Sequence, residues 1–180
     1  KFYLTATKTN AMQLNFFLTL LIASAVPLFV GFVWYHPRVF GNAWMKSASL
    51  NEESLKQGPN MFLIFGLTYL LGFFISFLLS GIVIHQMGFY SMLQNHFKEP
   101  ETMQLFTDVM AKYGNDFRTF NHGALHGGIT GVALALPVLA VNALFERKGF
   151  SYIAINAGFW IVSMIIMGGI ICQWANLATI

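Results

Sequence analysis

Charge is what this chain has least of. Only 9% of its 180 residues are Asp, Glu, Lys or Arg, against about 25% in an ordinary soluble domain. A surface so poor in charge cannot be kept in water, which excludes a soluble globular protein and leaves hydrocarbon as the solvent. The ten Lys and Arg form no cluster and the net charge is only +3, so a nucleic-acid partner is excluded as well. Cysteine is nearly absent: Cys172 stands alone, no intrachain disulfide exists, and the redox compartment is unreadable. None of the four longest apolar runs holds a charged residue. Coupled transporters keep such a residue in the membrane, so that class is disfavoured. No run alternates as a membrane strand does, which excludes a barrel. Nucleophile elbows, phosphate loops and zinc-protease motifs are missing too.

What is present is apolar length. The chain is 56% apolar and carries 19 Phe. Its apolar runs cover residues 15–35, 61–84, 123–145 and 152–174, each long enough to cross a bilayer as a helix of about 20 residues. The expected fold is all-α: a four-transmembrane-helix bundle with a long loop between helices 2 and 3. That loop carries an amphipathic interfacial helix over 101–113, with Pro100 in its first turn and Gly114-Asn115 after it. Met103, Phe106, Val109, Met110 and Tyr113 share its apolar face, to lie on the membrane or cap the bundle. Residues 12–180 are read as a single domain and 1–11 as a native extension or a tag. Ala23-Ser24-Ala25 resembles a signal-peptide cleavage site, but the apolar run continues to Tyr35, so an uncleaved span is expected. Pro27 and Pro137 should kink their helices. Leu50 to Gln57 should hold a short helix capped by Asn51.

Small residues recur every fourth position in two runs: Gly72, Ser76 and Ser80 in the second, Gly123, Gly127, Gly131 and Ala135 in the third. Such rows let two helices approach closely, and these two are expected to pack on one another. The four-residue turn at Glu146 makes runs three and four an antiparallel hairpin. Four crossings place both termini and the long loop on one side. Leaving out 1–11, that side holds three Lys/Arg (Lys98, Lys112, Arg118) against five (Arg38, Lys46, Lys56, Arg147, Lys148). The positive-inside rule then puts the termini and the long loop on the non-cytoplasmic side.

Gly31 to Pro37, followed by Phe40-Gly41-Asn42-Ala43-Trp44-Met45-Lys46, resembles a bacterial integral-membrane family known as domain of unknown function 1761. So do His122-Gly123-Ala124-Leu125-His126-Gly127, the Leu136-Pro137 step, Asn142 to Arg147, Asn156-Ala157-Gly158 and Met167-Gly168. The resemblance implies four membrane helices, a bacterial inner (cytoplasmic) membrane location and no assigned activity.

The candidate chemistry gathers at one membrane face. His85 ends the second run, His122 and His126 begin the third, and Cys172 and Gln173 end the fourth. His122 and His126 are four apart and share a helix face. Neutral imidazoles so spaced can share a transition metal, and one from each of two helices can ligate a haem. The alternative is that each histidine anchors a helix end. Asp116, Arg118 and His122 could form a small polar site; more plainly, Asp116 sits near a helix N-terminus and Arg118 faces lipid head groups. Asn142, Asn156, Thr68 and Thr130 either line a neutral pathway or hydrogen-bond within the bundle. Three functional classes follow. The leading one is a non-catalytic accessory or scaffold subunit with no cofactor, packing against lipid and against other membrane-protein subunits or copies of itself. The second is a histidine-based metal, haem or quinone-site protein. The third is a channel or transporter for small uncharged solutes, acting as an oligomer.

Overall fold

The computed structural model describes residues 14–58 and 60–179; the 1–11 extension and Pro59 lie outside that range. Among the described residues the fold is all-α apart from one two-residue strand pair. β1 (Leu14–Asn15) leads into α1 (Phe16–Ser24), whose N-terminus Asn15 caps by accepting from the Leu18 amide at 3.2 Å. The helix breaks at Ala25 and resumes as α2 (Val26–Trp34), with Pro27 in the first turn, where its missing N–H leaves no gap in the ladder. The expected kink is this interruption.

A five-residue π-helical turn (Pro37–Gly41) and α3 (Asn42–Ala48) follow, neither evident from the sequence. α4 (Glu52–Lys56) is the expected short helix. Asn51 Oδ1 accepts from the Ser54 amide at 2.8 Å, and Ser54 Oγ accepts from the Asn51 amide at 2.9 Å, a reciprocal capping box. α5 (Met61–Val83) is continuous. Ile84, in extended conformation, bends the chain into α6 (His85–Leu93), so His85 opens a new helix instead of ending the old one. α7 (Pro100–Tyr113) matches the amphipathic segment. Its apolar face meets its own chain: Phe106 stacks on Phe89 at 5.8 Å and touches Phe97 and Tyr90. α8 (Phe120–Thr130), a π-helical stretch (Gly131–Ala135) and α9 (Leu136–Phe145) form one run. The widened turn makes room for the Pro137 ring and absorbs its missing donor. After the turn at Arg147 (φ 58°), α10 (Phe150–Trp174) returns and ends in β2 (Ala175–Asn176), which pairs in parallel with β1.

Among the described residues, four helical segments are long and apolar enough to cross a membrane: Phe16–Trp34, Met61–Val83, Phe120–Phe145 and Phe150–Trp174. The last is central. Of its apolar window 56% is buried, against 17% for the second and third segments. Its Met164, Met167, Ile171 and Cys172 share a core with Phe16, Leu20, Ala23, Leu79 and Val83. Outward-facing Phe29, Phe32, Phe62, Phe74 and Phe145 leave apolar surface for hydrocarbon to cover.

The small-residue rows pack, but not on each other. A methyl at Gly127 would overlap the Met164 carbonyl, one at Gly123 the Gly168 carbonyl, and one at Gly131 would come within 2.8 Å of the Ile161 Cα, all on α10. On the second segment, a methyl at Gly72 would lie 2.7 Å from the Ser24 carbonyl on α1, and Ser76 Oγ lies 3.5 Å from Ser24 Oγ; Ser80 is fully buried. Ala135 is half-buried against the core. The expected pairing of segments two and three is therefore replaced by two-on-one and three-on-four. The reason is the α10 glycine: Gly168 supplies a second side-chain-free surface opposite Gly123 and Gly127, within the hairpin that the tight turn already imposes.

Candidate functional site

The strand pair, the Ile84 bend, the start of α8 and the end of α10 meet at one end of the molecule. Five hydrogen bonds fix the α8 start there. Phe120 N–H donates to Gln173 Oε1 at 2.9 Å, and His122 N–H to Thr119 Oγ1 at 3.3 Å. Cys172 Sγ donates to the Phe117 carbonyl at 3.3 Å. Arg118 Nε donates to the Cys172 carbonyl at 2.6 Å and its second nitrogen to the Ala175 carbonyl. Arg118 thus satisfies orphan carbonyls at the α10 C-terminus, where a cation also suits the helix dipole. It does not face head groups, as its sequence position suggested. Partial burial lowers the pKa of its guanidinium.

With α8 so held, His122 and His126 project one turn apart, and the Ile84 bend swings His85 onto them. His85 Nε2 and His122 Nε2 lie 2.8 Å apart, one donating and the other accepting. Ring centroids are separated by 4.9 Å (His85–His122), 5.1 Å (His85–His126) and 4.5 Å (His122–His126). One nitrogen from each ring falls within 4.8 Å of the other two. His85 is exposed and the other two half-buried, so an ion has a path in. Among the described residues the His126 ring nitrogens have no hydrogen-bond partner, which leaves a lone pair unused.

Nitrogens bound to one tetrahedral zinc lie about 3.3 Å apart, given bonds of about 2.0–2.1 Å. The 2.8 Å contact must open by roughly half an ångström and the widest separation close by more. Imidazole rotations cover both. A haem between two trans imidazoles needs their nitrogens about 4 Å apart with a porphyrin between; the His85–His122 contact leaves no such gap. The geometry suits a bare ion with three imidazole ligands and a position left open.

The other candidates lie elsewhere. Cys172 points to the Phe117 carbonyl and Gln173 to Phe120. His96 pairs with Glu99 at 2.9 Å on the exposed connection. Contacts from His96 and then Thr102 hold the Glu99 carboxyl below its usual range. Asp116 and Arg118 part company, so they form no shared site with His122: Arg118 turns to α10, while Asp116 lines a cavity with Gln86. Thr68 donates to the Ile64 carbonyl and Thr130 to that of His126, both at 2.8 Å, so these hydroxyls are occupied within their own helices.

Phe117 and Gln86 carried no sequence signal. Phe117 adopts φ 61°, a conformation few bulky residues take. Its ring sits 5.1 Å from His122 and 5.8 Å from His85. Held strain of this kind gathers at functional sites. A Gly or Asn at 117 would have advertised the turn; Phe hides it.

The aromatic motif of the first loop lies at the opposite end. Trp34 Nε1 donates to the Ile155 carbonyl at 3.0 Å and Tyr35 O–H to Asn156 Oδ1 at 3.2 Å. Gly158 leaves room for the Trp34 ring, 2.9 Å from where its methyl would stand. The Trp-Tyr and Asn-Ala-Gly motifs thus meet as a lock between α2 and α10. No curated protein and no solved structure matches the chain. Residues 18–172, nearly its whole length, match the family described as "Protein of unknown function (DUF1761)". Its motifs and its four apolar helical segments agree in making the chain a member of that family.

Proposed function

We propose that this chain is an integral membrane protein that holds a divalent transition-metal ion at one membrane face through His85, His122 and His126. The observation that carries this reading is the convergence of three imidazole nitrogens, from segments 37 residues apart, to within 4.8 Å. Helix-end anchoring explains one histidine at a boundary; it gives no reason to crowd three bases together. Three neutral imidazoles leave zinc, cobalt or copper with an open position, the arrangement of catalytic sites more than of closed structural ones. In this reading the bundle crosses a bacterial inner membrane, and the charge asymmetry supports a non-cytoplasmic side for the site and the long connection.

The test is metal analysis of the full chain purified in mild detergent, stripped with chelator and reloaded with Co²⁺. One ion per chain and the visible spectrum of a low-coordinate cobalt site are expected. His122→Ala and His126→Ala should each weaken binding by more than the roughly 10- to 100-fold typical of outer-shell losses, while His96→Ala should not matter. Absence of a stoichiometric ion in the native chain overturns the reading.

The accessory-subunit reading draws support from a different observation. Between the third and fourth segments runs an apolar groove of about 680 Å³ lined by Asn121, Ala124, Gly128, Val132, Ile161 and others. Ala124 and Gly128 give it a floor without bulk, suited to a partner helix. Mild-detergent pull-down tests this: a stoichiometric partner displaced by Gly128→Leu supports it, and a partner-free monomer counts against it.

A further inference from the structure

A cavity of about 300 Å³ lies beside the imidazoles, inside the hairpin of α6 and α7. Its walls are Phe89, Val109, Met110, Tyr113 and Phe117, with His85, Gln86 and Asp116 as polar members. That volume is at the lower end of small-molecule sites. Apolar and aromatic walls with few polar groups are the usual composition of such a site.

Gln86 gives the cavity its chemistry. The residue is only 9% exposed. Its amide nitrogen donates to the Tyr113 carbonyl at 3.3 Å and the Asp116 carbonyl at 2.9 Å, which fixes which end of the amide is which. Its Oε1 is then left buried with no hydrogen-bond partner. A buried acceptor without a donor is a costly arrangement that native structures seldom keep. Among the described residues no donor reaches it, the Tyr113 hydroxyl and the His85 ring in the same wall included, while Tyr113 and Asp116 offer their carbonyls to the amide nitrogen. Oε1 has almost no accessible surface in the empty cavity, so a donor reaches it through a small rotation of the amide or of a neighbouring ring. Phe117, held at positive φ in the same wall, is a second sign that this pocket is kept in shape against local preference.

We propose that this cavity binds a small neutral molecule with a hydroxyl group on a flat apolar body, a phenol in chemical class, and that the hydroxyl donates to Gln86 Oε1. The ring lies among Phe89, Val109, Met110 and Phe117, where offset and edge-on aromatic contacts favour it. A charged ligand is disfavoured by the apolar walls. The site is built from α6, α7 and the turn after α7, and it stands without the metal, although His85 borders both.

The test is ¹⁹F NMR titration of the full chain in nanodiscs with 4-fluorophenol and with 4-fluoroanisole, which has the same ring and no donor. Chelator-treated and zinc-loaded protein are run in parallel, and empty nanodiscs give the partition background. Saturable binding is expected, with 4-fluorophenol at least tenfold tighter than the ether. Gln86→Leu should erase that difference while leaving the ether's affinity within twofold. Val109→Phe, which fills the cavity and leaves the amide alone, should abolish both. Equal affinities in the native chain, a phenol preference that survives Gln86→Leu, or signals no different from empty nanodiscs would each overturn the proposal. Binding to chelator-treated protein supports it even if no metal is ever found, so the two readings fail separately.

Discussion

Replacing Gly127 with Ala adds one methyl group and should damage the protein more than any exposed substitution. The added carbon would overlap the Met164 carbonyl and lie within 2.8 Å of its carbon. The obstacle is backbone, which no rotamer change clears, so α8 and α10 must separate. Overpacking typically costs about 1–3 kcal/mol, and parting these helices also opens the Gly123–Gly168 contact beside it. A loss of roughly 2–3 kcal/mol is expected. The control is Gly81→Ala on α5, where a methyl meets nothing within 4 Å. There alanine's better helix propensity should leave stability unchanged or raise it by up to about 1 kcal/mol. Reversible unfolding of both variants in mixed detergent micelles, followed by circular dichroism, measures the difference. If Gly127→Ala falls within about 0.5 kcal/mol of the native chain, the two helices are not in backbone contact and the three-on-four packing is wrong. Gly72→Ala separates the alternatives further. It should disturb the α1 contact at Ser24 and leave histidine geometry intact, whereas direct pairing of segments two and three would couple it to Gly127→Ala.

Arg118→Met should cost about 1.5–3 kcal/mol, because it leaves the Cys172 and Ala175 carbonyls without their charged donor; the same unfolding assay reads it, and a neutral result would show that the clamp is dispensable. Tyr35→Phe should cost about 1 kcal/mol through loss of the Asn156 contact, Asn156→Ala more because its amide also donates to the Tyr152 carbonyl, and the double variant should be no worse than Asn156→Ala alone. The Glu99 carboxyl is held below its usual range by His96 and Thr102, so its contribution is complete above the unfolded pKa and lost as pH falls through the folded value. Protection of the amides at the start of α7, taken relative to their intrinsic exchange rates, should therefore fall as pH drops through and below the usual carboxylate range, and Glu99→Gln should remove that dependence. Removing the ion proposed at the three imidazoles should speed exchange around His85 and Phe117 without touching the Trp34–Ile155 lock at the far end.

The sequence by itself determined the solvent and the rods. Four uncharged apolar runs need only backbone self-satisfaction and about 20 residues to become membrane-length helices, and both facts are local. The cap at Asn51 and the helix start at Pro100 were legible for the same reason, since both depend on residues within one turn. The His122–His126 face was legible too, as helical spacing alone sets it. The tertiary structure decided what those rods do to each other. Gly123 and Gly127 announce a close contact but cannot name the partner, because a bare backbone accepts any other bare backbone; Gly168 on α10 settled it. His85 joins its two partners only because Ile84 bends the chain, and nothing in an isoleucine foretells that. Phe117 at positive φ, Arg118 reaching across to α10 and the unpaired oxygen of Gln86 all depend on contacts between residues dozens of positions apart. Such contacts are written in three dimensions, where local propensity has no vote.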